Sequence, residues 1–291
     1  SITLGLGCIS YLALVLGLIQ LLQFKIIIFI FIILFLNGLY NLRLLWNFSL
    51  KKIFSNILFI FKNLDVMSII TLVFIFLFVL VNLFGSSLAP TGIDDIKYHF
   101  AYPKRYLKDG AITFFGDSEF SNFPFPIEML WTIAISFDKT GVLAQQLNFS
   151  IGLLTLFWII LISKKASSDL PTIILSLCLF YSITSVGNQS RSGSVELGGV
   201  LFFLAGFYYL YEFISNEKKE TLVISGLFFG IFSVVKLSNP VIVILTTPWL
   251  IMYLYKDGKP IKNCLVNGFI FSGTAFFFAS IWYAKSYYFT G

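Results

Sequence analysis

Charge is scarce in this chain. Only 12% of its 291 residues are charged, while 58% are hydrophobic, and a soluble domain of ordinary composition carries roughly 25% charged residues. That deficit excludes an aqueous globular fold. Histidine occurs once, as His99, which excludes a zinc site built on several imidazoles. The three cysteines, Cys8, Cys178 and Cys264, each fall inside an apolar run without ligand spacing, so they read as small buried hydrophobes. The first residue is serine, and the opening run lacks a basic leader and a cleavage motif, so no signal peptide is expected. No internal repeat and no low-complexity linker is visible. The net charge of +6 would suit nucleic acid, but the lysines sit in short loops between apolar runs, where they set membrane topology. Nucleic acid is therefore excluded as a partner.

What remains is hydrocarbon. A membrane-crossing helix needs about 20 mostly apolar residues, and on that criterion about nine segments qualify: 4–22, 26–45, 66–85, 142–163, 170–186, 195–213, 222–238, 241–255 and 265–283. The expected fold is an all-α polytopic bundle embedded in a lipid bilayer. Between the second and third spans, residues 47–64 place Lys51, Lys52 and Lys62 among Ile, Phe and Leu, the pattern of a helix lying in the interface or of a plain loop. The first two spans and this segment (1–65) read as an N-terminal appendage to a module over 66–291.

Orientation follows from the short loops. Arg43, Lys51, Lys52, Lys62, Lys164, Lys165, Lys218, Lys219, Lys256, Lys259 and Lys262 fall on one side, which the positive-inside rule places in the cytoplasm together with the N-terminus. The long loop 86–131 and the short loop 187–194 then face outward. The long loop is the most polar passage of the chain and holds His99 and a concentration of acids. Residues 93–108 read as a short helix, with Asp94 and Asp95 at its start, a kink at Pro103, and Lys108 and Gly110 at its close. Asp94 and Tyr98 share one face, as do Asp95 and His99. A second short helix begins near Pro126 and carries Glu128.

Several of these residues suit chemistry as well as scaffolding. Asp94 and Asp95 serve as helix caps, or as a general base at an apolar–polar boundary where carboxylate acidity is tunable. His99 serves as a metal ligand, a phosphate partner or an interfacial histidine. Arg191 either sets topology or clamps a phosphate. Glu196 opens a span, where an acid is a functional candidate. Lys236 near the end of its span snorkels or pairs with a lipid phosphate, and Lys285 stands in an aromatic belt. A sugar carried on a lipid phosphate needs such cations at the leaving phosphate and a carboxylate at the acceptor hydroxyl.

The stretch IDDIKYHFAYPKRYLKDGAI followed by SNFPFPIEMLW resembles the first large exterior loop of the GT-C glycosyltransferases, in the bacterial branch related to protein O-mannosyltransferases and the lipid A aminoarabinose transferase. SGSVELGGVLFFLAGFYYLY, GLFFGIFSVVKLSN and SIWYAKSYYFTG resemble three later segments of that class, so the likeness covers roughly 66–291. It implies a GT-C bundle whose large first loop carries short juxtamembrane helices. It also implies inverting transfer from a polyprenyl-phosphate sugar to a glycan, lipid or protein acceptor, on the outer face of a bacterial plasma membrane. Carried over, Asp94 is the base, Asp95 its neighbour and Glu196 the second acid. Tyr98, His99, Lys104, Arg105, Asn122, Glu128, Arg191, Lys236 and Lys285 are assigned to substrate binding. Some members of the class use a divalent metal and others do not; with no dense carboxylate cluster in the sequence, no metal or other cofactor is expected. Relatives continue past the point where Gly291 stands. The competing expectation is a transporter or flippase of a lipid-linked saccharide.

Overall fold

A computed structural model describes residues 2–44, 64–116 and 118–291. The interfacial helix expected over 47–64 lies outside the described residues but for its last position. All regular structure among the described residues is helical. In chain order the α-helices are α1 (Ile2–Leu18), α2 (Phe24–Leu44), α3 (Val66–Ser86), α4 (Ala101–Asp109), α5 (Pro126–Phe137), α6 (Val142–Lys165), α7 (Leu170–Ser182), α8 (Thr184–Ser190), α9 (Glu196–Asn216), α10 (Lys219–Ser233), α11 (Pro240–Lys256) and α12 (Ile261–Thr290). A π turn spans Asp95–His99 and a 3-10 turn Glu119–Asn122.

Local chemistry sets the ends. Asp65 and Asp169 cap α3 and α7 by accepting from the Ser68 and Thr172 N–H groups, which would otherwise have no partner. Pro126 and Pro240 open α5 and α11, where the missing N–H costs nothing. Gly110 ends α4 with φ of 66°, a conformation glycine adopts without strain.

Among the described residues, each of the nine expected apolar segments overlaps a helix in part. Four helices, α3, α6, α9 and α12, are long and apolar enough to cross a membrane. The pair α7 and α8, bent by 71°, adds a fifth if it is one span. That break, at Ile183, replaces the single span expected over 170–186. At 17, 15 and 17 residues, α1, α10 and α11 run about 25 Å or less, short of the roughly 30 Å hydrocarbon layer. Leucine, isoleucine and phenylalanine stay exposed along α2, α3, α11 and α12, as they do where the surrounding solvent is lipid.

The core lies where α5, α6, α9, α10 and α12 meet, filled by Trp131, Phe202, Phe228, Phe229 and Phe271. Gly226 and Gly230 let α10 approach α12 closely, because a Cβ there would stand 2.7 and 2.6 Å from the Phe271 and Ala275 carbonyl oxygens. The expected separation of an N-terminal appendage is not what α1 does. Ser10 donates to the Pro126 carbonyl, Tyr11 to Phe278 and the Trp158 indole to Thr3. These bonds and its buried face fix α1 within the same body.

The two ends of the bundle are chemically distinct. Lys165 pairs with Glu212 at 2.7 Å, and Lys259 pairs with Glu217, gathering three lysine-bearing segments at one end. Lys236 pairs with Glu196 at the other, beside the long loop.

Candidate active site

Proline shapes the first part of the site. Pro103 has no N–H to give the His99 carbonyl, so the expected continuous helix over 93–108 breaks at Phe100. Upstream of the break the backbone widens, and the Phe100 N–H reaches back five residues to the Asp95 carbonyl at 2.9 Å. Pro103 thus sits in the first turn of α4, and the predicted kink becomes a π turn three residues earlier. Such turns recur at functional sites. This one turns Asp95 and His99 inward, 2% and 5% exposed, and leaves Asp94 in the open.

Glu128 meets His99 from the other side. It lies in the first turn of α5, a helix buried along almost its whole length. Its Oε1 stands 2.8 Å from His99 Nδ1, with both side chains buried. Burial alone pulls the imidazole towards neutrality. The Glu128 carboxylate outweighs it, with Asp95 and Glu196 adding to the same side, and His99 holds its proton above the usual histidine range. Burial pushes Asp95 up as well, against the Gly193 N–H and His99, which favour its charged form. Its Oδ2 finds no hydrogen-bond partner. Tyr98 is pushed up to about 12 by burial and by the neighbouring Asp94, Glu128 and Glu196 carboxylates.

The third wall is the loop between α8 and α9, and three side chains hold it. Asn148 of α6 donates its amide to the carbonyls of Gln189, Ser192 and Ser194 at 2.7–3.0 Å. Gln145 donates to Arg191 O at 2.9 Å and Trp131 to Gly193 O at 2.8 Å. So held, Gly193 packs on the face of Phe100, where no side chain would fit, and presents its N–H to Asp95. Glu196 follows as the first residue of α9.

Lys236 comes from an unexpected element. The span expected over 222–238 stops at Ser233, because Asn239 Nδ2 occupies the Phe232 carbonyl at 2.9 Å and Pro240 opens the next helix. Residues 234–239 form a turn, and Lys236 reaches from it to Glu196.

These pieces enclose a cavity of about 290 Å³, lined by Tyr98, His99, Glu128, Lys236 and the aromatic wall Phe120, Phe123 and Phe125. Lys236 and Val235 also line a second recess of about 320 Å³ with Glu196, Val200, Phe203 and Ile242, almost wholly apolar, on the flank of α9, α10 and α11. The cavity that holds the His99–Glu128 pair and the apolar groove share Val235 and Lys236.

The other sequence candidates lie elsewhere. Asp94 is exposed beside Tyr98 and does not line the cavity. Arg191, expected on a phosphate, instead runs along Gly85 of α3 and bonds Asn188, because the clamp on its own carbonyl turns the loop that way. Lys104 faces a different groove, and the Arg105 guanidinium lies 4.7 Å over the Phe115 ring. Lys285 does not snorkel. It is buried at 4% exposure and donates to the Asn122 and Phe123 carbonyls at 3.3 and 2.9 Å. Asn122 is bound in turn to Ser286 and Thr290 of α12. Both residues brace the cavity's aromatic wall.

Sequence reasoning overlooked Gln145 and Asn148. Their signal was available, since two amides within an apolar span call for partners. Among the described residues no three His, Cys, Asp or Glu side chains group closely enough to hold a metal ion. Comparison with protein-family models, curated proteins and solved structures found no match, so the reading of the site rests on its geometry.

Proposed function

We propose that this chain is a membrane glycosyltransferase of the GT-C type, moving a sugar from a polyprenyl-phosphate donor to an acceptor hydroxyl with inversion. The junction at Lys236 carries the reading. A cavity lined by His99, Glu128 and Lys236 against an aromatic wall shares Val235 and Lys236 with an apolar groove on the flank. A lipid-linked sugar is divided in the same way, with sugar and phosphate at one end and a hydrocarbon chain at the other. Lys236 has donors beyond the one spent on Glu196, and with His99 it stabilises charge on the departing phosphate.

The acceptor oxygen attacks the anomeric carbon, the bond from that carbon to the phosphate oxygen breaks, and the electron pair leaves on the phosphate. The acceptor proton goes to a carboxylate. Glu128 is committed to His99 and Glu196 to Lys236, while Asp95 is buried and holds its proton more tightly than an ordinary aspartate. Asp94 alone of the four is exposed and, among the described residues, paired with no cation. It is therefore the base in this reading. Asp95 tunes it, and Glu196 orients Lys236. The nine apolar segments form the bundle, the lysine loops are cytoplasmic, and the cavity opens on the outer face of a bacterial plasma membrane.

Flipping of a lipid-linked saccharide is the second reading, favoured by the break between α7 and α8, since transporters build sites at discontinuous helices. Neither of those helices carries a charged residue, which favours the transferase.

Membranes containing the protein, given radiolabelled polyprenyl-phosphate sugars, should pass label to an acceptor fraction and release polyprenyl phosphate. Asp94→Asn should lower transfer by on the order of 100-fold or more with insertion unchanged. Full turnover by that variant overturns the assignment of the base. Movement of intact donor across vesicles without transfer replaces the enzyme with a flippase.

A further inference from the structure

A groove of about 440 Å³ lies between α2, α4 and α5, lined by Lys104, Lys108 and Lys139 around Phe24, Leu107 and Ile135. It shares no lining residue with the His99 cavity. All three lysines are exposed, and among the described residues no carboxylate pairs with any of them. The nearest acids in sequence are engaged elsewhere. Asp109 accepts from the Thr113 hydroxyl, and Asp138 accepts from Thr140 and from the Leu143 N–H. Lys104 and Lys108, one turn apart on α4, repel each other unless an anion lies between them.

The apolar half of the groove continues onto the lipid-facing side of α2, where Phe24, Ile28 and Phe29 are exposed. The groove therefore offers three ammonium groups with no ion-pair partner among the described residues, and a hydrocarbon wall beside them. We propose that it holds one anionic glycerophospholipid, with the headgroup phosphate on Lys104, Lys108 and Lys139 and an acyl chain along Phe24, Leu107 and Ile135. Basic pockets between transmembrane helices bind anionic headgroups on these terms. The inference requires a bilayer but not the transferase reading.

The test uses protein purified in detergent, depleted of lipid and then titrated with phosphatidylglycerol or phosphatidylcholine, bound lipid being counted by native mass spectrometry. One phosphatidylglycerol should be retained in preference to phosphatidylcholine, and millimolar inorganic phosphate should not displace it. Replacing all three lysines by glutamine should weaken retention by roughly 100-fold, at about fivefold per basic residue. The triple arginine variant should keep it, which separates lost charge from lost folding. Lys164→Gln, at the opposite end of the bundle, should change nothing. Equal retention of both lipids, displacement by free phosphate, or undiminished binding by the glutamine variant overturns the proposal.

Discussion

His99 and Glu128 face each other across 2.8 Å inside the protein, one from a π turn and the other from the first turn of a buried helix. Because His99 holds its proton more tightly in the folded chain than its ordinary value of 6.5, the pair stabilises the fold fully below that pH. The contribution is lost as pH rises through the raised folded value. Thermal midpoints measured in detergent from pH 5 to 9 should therefore fall towards the alkaline side. His99→Gln should flatten that slope. Glu128→Gln should cost on the order of 2 kcal/mol at pH 6, and an unchanged pH profile in either variant would remove the charged pair.

Lys236 lines both the His99 cavity and the apolar groove. If a donor phosphate binds there, Lys236→Ala should raise the KM for polyprenyl-phosphate sugar by on the order of 10-fold or more and lower kcat less. Glu196→Gln, which frees Lys236 from its partner, should change donor affinity in the opposite direction or leave it alone. Steady-state kinetics with donor varied at fixed acceptor would read both, and an unaltered donor KM in Lys236→Ala would detach the lysine from the phosphate.

Hydropathy made the helices legible, and the acid–base partners Glu196 and Lys236 were visible as charges at the edges of apolar runs. Their meeting was legible too, since both edges fall on the same side of the bundle. The turn that carries Lys236 was hidden because it is itself apolar: Val234 and Val235 are buried, so nothing in the run 222–238 marks the end of the helix except the later Asn239–Pro240. The π turn was illegible for a related reason. Pro103 announces a break, but the choice of hydrogen bonds upstream depends on how Asp95 and His99 pack against Gly193 and Glu128. Direction around a helix was the other loss. Lys104 and Arg105 are neighbours of His99 in sequence, yet α4 turns them away from the cavity, and periodicity alone could not say which face met the core.

Three carbonyls of the loop before α9 share one side-chain donor. Asn148 is wholly buried, and its amide serves all three. Asn148→Leu should leave the Ser192 and Ser194 carbonyls without that donor, while Gln189 O keeps its bonds from Ser192, at a cost of about 1–3 kcal/mol. The loop should open before the bundle does. Hydrogen exchange at residues 189–195 should rise while exchange in α9 and α10 stays slow, and any transferase activity should fall in parallel. Uniform loosening of the whole chain would instead mean that Asn148 supports the bundle rather than the site.

Gly230 separates packing from chemistry. It lines neither cavity, and a Cβ on it would stand 2.6 Å from the Ala275 carbonyl oxygen and 3.1 Å from its Cα. Backbone atoms cannot rotate aside as a side-chain tip can, so Gly230→Ala must push α10 from α12. Overpacking of this kind costs about 1–3 kcal/mol, with Gly226→Ala expected to behave alike because the Phe271 carbonyl lies as close. By contrast, Gly5→Ala meets open space on α1 and should leave the thermal midpoint unchanged. A lowered midpoint for the two α10 variants, with the Gly5 variant unaffected, would establish that the turn bearing Lys236 is held in place by the close contact of α10 with α12. Equal stability of all three would mean that the helices can separate without strain, and that the turn bearing Lys236 is held by Asn239, Pro240 and the pairing with Glu196 instead.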